Sequence, residues 1–176
     1  MNFVEPIRDR KRIAQIKNLL RGQSRIRDLL LFVVGINTAL RISDVLRLRI
    51  SDVVDERQHI RRRFWIREQK RGKRHEVVVN DSIRSAFTEY LTAYPNVARV
   101  PEHFVFFNTK THDYTQPIKR GQAWKFITAI CREIGLPANR AWTWPSLCVS
   151  SITPIWSIPN ATWALPMPSS RQSSSV

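Results

Sequence analysis

Glycine is scarce in this 176-residue chain, five in all, and no glycine-rich loop that could cradle a nucleotide phosphate occurs. That argues against a nucleotide-hydrolysing enzyme. Cysteine is scarcer. Cys131 and Cys148 match no metal-ligand spacing and are too few for a disulfide framework, which fits a reducing cytoplasm. The histidines, His59, His75, His103 and His112, share no metal spacing either, so no metal centre is expected. Long apolar runs are missing too. Leu29 to Val34 is the longest before residue 140 and is far too short to span a bilayer. The N-terminus, MNFVEPIRDR, lacks the apolar centre of a signal peptide. The expectation is a cytoplasmic protein with no membrane segment.

Acidic residues are in deficit. Lys and Arg outnumber Asp and Glu by 29 to 14, a formal charge of +15, while hydrophobic residues make up 43% of the chain. So much apolar content excludes a disordered polyelectrolyte. The surplus of positive charge points to a polyanionic partner, above all nucleic acid, because each neutralised phosphate releases condensed counterions. A ribosome-associated protein or an acidic-membrane binder is the blander reading of the same charge.

Charge is also unevenly spread. All fourteen acidic residues and 28 of the 29 basic ones lie at or before residue 140, whereas 141–176 hold one charge, Arg171, among nine Ser, five Pro and four of the six Trp. Prolines at 145, 154, 159, 166 and 168 interrupt any regular element there. Two regions follow: 1–139, which is patterned like a globular domain, and an irregular Ser/Pro/Trp-rich tail over 140–176.

Within the first region, Ile13, Ile16, Leu19 and Leu20 keep helical spacing, and Gly22 can close that helix. Ser24 is a suitable N-cap for a second helix, Arg25 to about Thr38, apolar on most sides and so the buried centre. Ser43 or Asp44 can cap a short third helix with Val45, Leu46 and Leu48. The period then changes to two. Ile60, Phe64 and Ile66 alternate with arginines, and Val77 to Val79 follow a turn at Arg71-Gly72, the pattern of a hairpin with one basic face. Asp81 or Ser82 starts a helix with Ile83, Phe87, Tyr90, Leu91 and Tyr94 on one side, ended by Pro95. Phe104 to Phe107 reads as a strand. Residues 117–134 read as a helix with Trp124, Ile127, Ile130 and Ile134 as its stripe, Gly135 closing it and Pro137 beyond. The fold class is mainly α with a small antiparallel β-sheet.

The segment GINTALRISDVLRLRISDV, Gly35 to Val53, resembles the first active-site box of tyrosine recombinases, the phage-integrase family. That box reads roughly G-x-x-x-G-L-R-I-S-E-L-x-x-L; Ala39 stands where glycine is commoner and Asp44 where glutamate is. REQKRGKRHEVVVND, Arg67 to Asp81, is similar to the family's catalytic hairpin. The order of hairpin, capped helix, strand and helix ending at Gly135-Leu136-Pro137 also follows the family, over residues 3–139. The resemblance implies a tyrosine-recombinase catalytic-domain fold, incomplete at its C-terminal end.

It further implies phosphoryl transfer on double-stranded DNA. A tyrosine attacks the phosphodiester, arginine forks stabilise the charge that grows on its oxygens, and a lysine protonates the departing 5′-oxygen. Neither ATP nor a metal is needed, so no cofactor is implied. Arg41 matches the first arginine and would sit in a turn between the second and third helices. Lys70, two residues before the turn glycine, matches the lysine, with Lys73 the second choice. Arginine is so frequent here that any single one is by default a solvated charge; the box around Arg41 reverses that default. Arg61, Arg62, Arg63, Arg71, Lys73 and Arg74 are the candidate DNA contacts. Trp124 and Phe126 read as core or near-core residues. Family members act as synaptic tetramers on DNA through an exchanged C-terminal segment not found here, and the implied location is the nucleoid.

The family's last helix leads directly into H-x-L-R. No H-x-x-R is expected in the chain, and no Tyr lies beyond Tyr114. Tyr90, Tyr94 and Tyr114 come before the box position and fall on a helix stripe or loop, so no nucleophile is assigned. Thr143-Trp144-Pro145-Ser146 permits the codons ACA TGG CCT TCG, which one base later read His-Gly-Leu-Arg at the expected distance. A frameshift near residue 140 is therefore the preferred reading, and the product is expected to be catalytically inactive. The alternative is a non-catalytic DNA-binding module, such as a helix-turn-helix regulator built on residues 24–50.

Overall fold

The computed structural model describes residues 9–38, 40–69 and 72–135. Expectations about the 140–176 tail, Cys148, Pro137, Lys70 and Arg71 fall outside the described residues. Helix α1 spans Arg10–Gly22, α2 Ile26–Thr38, α3 Ile42–Val45 and α4 Ile50–Val53. Strands β1 (Arg63–Arg67) and β2 (Arg74–Val78) follow, then α5 (Asp81–Ala93) and α6 (Pro95–Ala98). Strands β3 (Phe107–Asn108) and β4 (Asp113–Pro117) precede α7 (Arg120–Glu133). The chain is thus mainly helical with antiparallel β-structure, in two separate two-stranded sheets rather than the single sheet expected. No helix among the described residues is long and apolar enough to cross a membrane.

Helix α2 is the hub. Every residue from Asp28 to Gly35 is buried, and α5 is its broadest helical partner. Leu29, Leu30, Leu31 and Val34 are fully removed from solvent. Each such side chain stabilises the fold by about 1.5–3 kcal/mol relative to exposure. A charge sits at the start of this helix: Asp28 is buried, and Arg25 Nε (3.0 Å) and Arg27 Nε (2.9 Å) donate to it. Arg27 also donates through Nη1 to the Phe107 carbonyl at 2.7 Å, which fastens α2 to β3.

Several expected caps shift. Ser24 does not cap α2; it adopts φ 54 and donates its N–H to the Arg21 carbonyl at 2.9 Å, turning the chain between helices, and α2 begins at Ile26. Arg41, not Ser43 or Asp44, holds the N-cap position of α3, without a side-chain cap. Asn80 caps α5, its Oδ1 accepting from Ile83 N at 2.9 Å. Helix α7 begins at Arg120, since Pro117 ends β4, and Gln122 Oε1 accepts the Lys119 N–H at 2.9 Å. Its buried face is Ala123, Phe126, Ile127, Ile130 and Cys131, followed by Ile134; Trp124 lies at the edge of that stripe, half-buried. Gly135 takes φ 70, as a closing glycine should.

The hairpin pairs Phe64 with Val77 and Ile66 with His75 on its inner face, and Trp65 with Glu76 and Arg67 with Arg74 on its outer face. Glu68 and Lys73 close it: Glu68 N donates to Lys73 O, and Gly72 N, at φ 65, donates to Glu68 O, both at 2.9 Å. The expected Phe104–Phe107 strand divides its pairing. Phe104 bridges Arg49, Val105 N donates to Leu48 O at 2.9 Å, and only Phe107 enters β3. The box segment is thereby bonded to the centre of the fold.

Candidate phosphate site and nucleic-acid interface

Arg41 stands on a rigid mount. Its backbone is extended (φ −68, ψ 139), and its carbonyl accepts from Asp44 N at 2.9 Å and Val45 N at 3.1 Å. Leu40 before it and Val45 after it are buried, so the guanidinium, with 45% of its side chain exposed, leaves the surface from a pinned turn. This is the turn between the buried helix and the next that the sequence indicates.

The hairpin docks on the same turn at two points. Gln69 N donates to Asp44 Oδ1 at 3.2 Å, and Glu68 Oε2 lies 3.2 Å from Arg41 Nη1. Asp44 is 3% exposed, and its Oδ2 has no partner among the described residues. Glu68 Oε1 is 2.7 Å from His75 Nε2, close enough for an ion pair but off the line of a well-aligned hydrogen bond. Burial pulls the Glu68 carboxyl upward, yet the His75 and Arg41 groups beside it prevail and hold it below the usual carboxylate range. Lys70 follows Gln69 in sequence and lies outside the described residues.

Of the candidate DNA contacts, Arg61, Arg62, Arg63, Lys73 and Arg74 are all exposed, and Arg71 is outside the described residues. Arg61 N donates to Val53 O at 2.7 Å and Arg62 O accepts from Val79 N at 3.0 Å, so their backbones are fixed. Arg63 is partly spent on Glu76, 3.1 Å away. Arg74 lies over the Trp65 ring, 5.6 Å from its centroid.

Other basic residues escaped the sequence reading. Arg47, Arg49 and Arg67 join Arg74 around an open cleft of about 720 Å3 that Trp65 and Phe104 also line. Arg49 stacks over Phe104, 4.7 Å from its centroid. None of these four arginines has an ion-pair partner within 4 Å among the described residues, although Asp44 and Asp52 also line the cleft. A signal for Arg47 and Arg49 was present: Leu46, Leu48 and Ile50 are all buried, which drives the arginines between them outward. Contrary to the expectation that no H-x-x-R occurs, that spacing is present once, at His59-Ile60-Arg61-Arg62. It precedes β1, in the loop where His59 faces Asp55 at 3.9 Å, rather than following α7.

Tyr90 lies in α5 and Tyr94 caps its C-terminal end, whereas Tyr114 lies in β4 rather than on a helix stripe or loop. Tyr90 is fully buried and donates its hydroxyl to Val105 O at 2.5 Å, and burial pushes its pKa strongly upward. Tyr94 packs edge-on against Phe107, and Tyr114 does the same from the other side of the sequence.

A buried central helix, an arginine turn and a basic hairpin docked on that turn thus form one connected arrangement. The family model described as the phage integrase family matches residues 9–143. A curated relative, the "Probable integrase/recombinase YoeC" of Bacillus subtilis (strain 168), is 31% identical over 136 residues, covering 77% of this chain and 67% of that protein. The chain belongs to the phage integrase family, the tyrosine recombinases of DNA recombination and integration.

Proposed function

We propose that Arg41 is the phosphate-gripping arginine of a recombinase core and that Lys70 is the lysine that protonates the leaving 5′-oxygen. The observation that carries this is the docking of the hairpin on the arginine turn through Asp44 and Glu68, which joins the two matched motifs. A guanidinium on such a mount presents paired N–H groups to two phosphate oxygens without first being ordered. Arg61, Arg62, Arg63, Arg71, Lys73 and Arg74 lie along double-stranded DNA, with Arg47, Arg49 and Arg67 extending that basic surface. The protein works in the cytoplasm on nucleoid DNA.

We further propose that this 176-residue product binds DNA without cleaving it and without forming synaptic tetramers. Residues 1–139 act as the recombinase part and 140–176 as a tail in a shifted reading frame. The match that ends at residue 143, beside the loss of charge near 140, supports that boundary. Within these 176 residues no tyrosine follows Tyr114 and no H-x-L-R occurs. A helix-turn-helix reading is less well supported, since α2 is buried from Asp28 to Gly35 and α3 is a single turn.

The test is an assay for covalent adducts on nicked duplexes, run beside a binding assay. Binding without adducts is expected, weakened by Arg41→Ala. Sequencing the gene from codon 130 in three frames is the companion experiment. If neither alternative frame supplies H-x-x-R followed by a Tyr codon, the shifted-frame reading fails.

A further inference from the structure

Glu68 meets Arg41 where a phosphate would. Its carboxylate has one oxygen 3.2 Å from Arg41 Nη1 and the other 2.7 Å from His75 Nε2. Its side chain is only 15% exposed, while that of Arg41 is 45% exposed, so the acid is the enclosed member of the pair. Its backbone is also committed, since Glu68 N and O both serve the hairpin closure. A carboxylate fixed in this way is not a mobile surface charge that happens to be near an arginine.

Carboxylate and phosphodiester offer a guanidinium the same thing, a pair of anionic oxygens at hydrogen-bonding distance. They also repel each other, so one guanidinium edge takes one or the other. We infer that Glu68 is an internal stand-in for the DNA phosphate: without DNA it occupies the Arg41 edge, and a bound phosphodiester displaces it. His75 faces the second carboxylate oxygen at 2.7 Å from the inner face of the hairpin, opposite Ile66. Two consequences follow. Arg41 is kept oriented and its charge offset in the free protein, and a phosphate that engages Nη1 must first break this contact. Neighbouring contacts do not share the role: Asp44 is engaged by Gln69 N, and Glu76 by Arg63.

The inference rests on the proposed role of Arg41, and a double-mutant cycle separates the two. The full chain, Glu68→Gln, Arg41→Ala and the double variant are titrated with a short fluorescein-labelled duplex. Glu68→Gln keeps the shape and removes the charge, so it should tighten binding. The gain should be roughly two- to fivefold, the scale of a partly exposed ion pair. That gain should vanish in the Arg41→Ala background. Glu68→Asp, one methylene shorter, cannot span both partners and should give a smaller, equally Arg41-dependent gain. An unchanged or weaker affinity for both Glu68 variants, or an equal gain with and without Arg41, overturns the stand-in while leaving the Arg41 reading intact. An Arg41→Ala variant that binds DNA as well as the parent overturns both.

Discussion

Tyr90 and Val105 are joined by a hydrogen bond of 2.5 Å, the phenol of α5 donating to the carbonyl that follows Phe104. The bond lies in the fully buried centre, beside Phe106 and Phe107, and no solvent reaches either partner residue. Removing the hydroxyl strands the acceptor. Tyr90→Phe should therefore cost about 1–3 kcal/mol, the penalty for an unsatisfied buried polar group. In urea unfolding this reads as a lower midpoint with an unchanged slope. A midpoint equal to that of the parent would show that Val105 O has another partner.

The same burial gives the protein an alkaline limit. Burial raises the pKa of the Tyr90 phenol, and that of Tyr94 is raised too, first by its own burial. The folded state thus holds these protons at a pH where the unfolded chain, with ordinary phenols near about 10, gives them up. Their contribution is complete below the unfolded value and is lost as pH rises beyond it. Melting temperature should fall above about pH 10. Tyr90→Phe should flatten that fall, since the deleted phenol no longer favours the unfolded state. A pH profile as steep in Tyr90→Phe as in the parent would sink the idea.

Periodicity made the large elements legible, because they bury one repeating face. Helix α2 was readable from Leu29 to Ile36, and α5 from Ile83, Phe87 and Tyr90, as apolar patterns that packing then had to satisfy. The hairpin register was readable from Phe64 and Ile66 alternating with charge. The box around Arg41 fixed a turn that propensity alone would not single out. What stayed hidden was decided by contacts distant in sequence. Phe104 and Val105 divide their pairing because Arg49 and Leu48 arrive from the box segment. Ser24 has the chemistry of a cap but takes a left-handed turn, since the chain must reverse between α1 and α2. Glu68 and His75 lie inside the hairpin motif but were given no role there; only the fold of the hairpin brings Glu68 to Arg41 and His75 to Glu68.

Two glycines should respond to alanine with opposite signs. Gly22 ends α1, its φ is not in the left-handed region, and an added Cβ would meet nothing within 4 Å. Gly22→Ala should stabilise by about 0.4–1 kcal/mol by narrowing the unfolded ensemble. Gly135 also has open space around it but sits at φ 70, where a Cβ costs about 1–2 kcal/mol. Gly135→Ala should lower the melting temperature by roughly 3–8 °C while Gly22→Ala raises it by a few degrees. Shifts of the same sign would contradict the backbone assignment at one of the two positions.

The arginines entering the hairpin should not contribute equally to DNA binding. Arg61 and Arg62 have no ion-pair partner among the described residues, whereas Arg63 already faces Glu76 at 3.1 Å. A free guanidinium that meets a phosphate releases about 0.9 of a counterion, and the logarithm of the binding constant falls with that slope against the logarithm of salt concentration. Arg61→Ala and Arg62→Ala should each flatten the salt slope by about 1. Arg63→Ala should change it less, because that charge must first leave Glu76, and Glu76→Gln should restore Arg63 to the full effect. The measurement is fluorescence anisotropy on one duplex over a series of salt concentrations. Equal slopes for all three alanine variants would mean that the pairing with Glu76 has no bearing on how the hairpin meets DNA. Slopes unchanged from the parent would move the interface off Arg61, Arg62 and Arg63 and onto the arginine-lined cleft formed by Arg47, Arg49, Arg67 and Arg74.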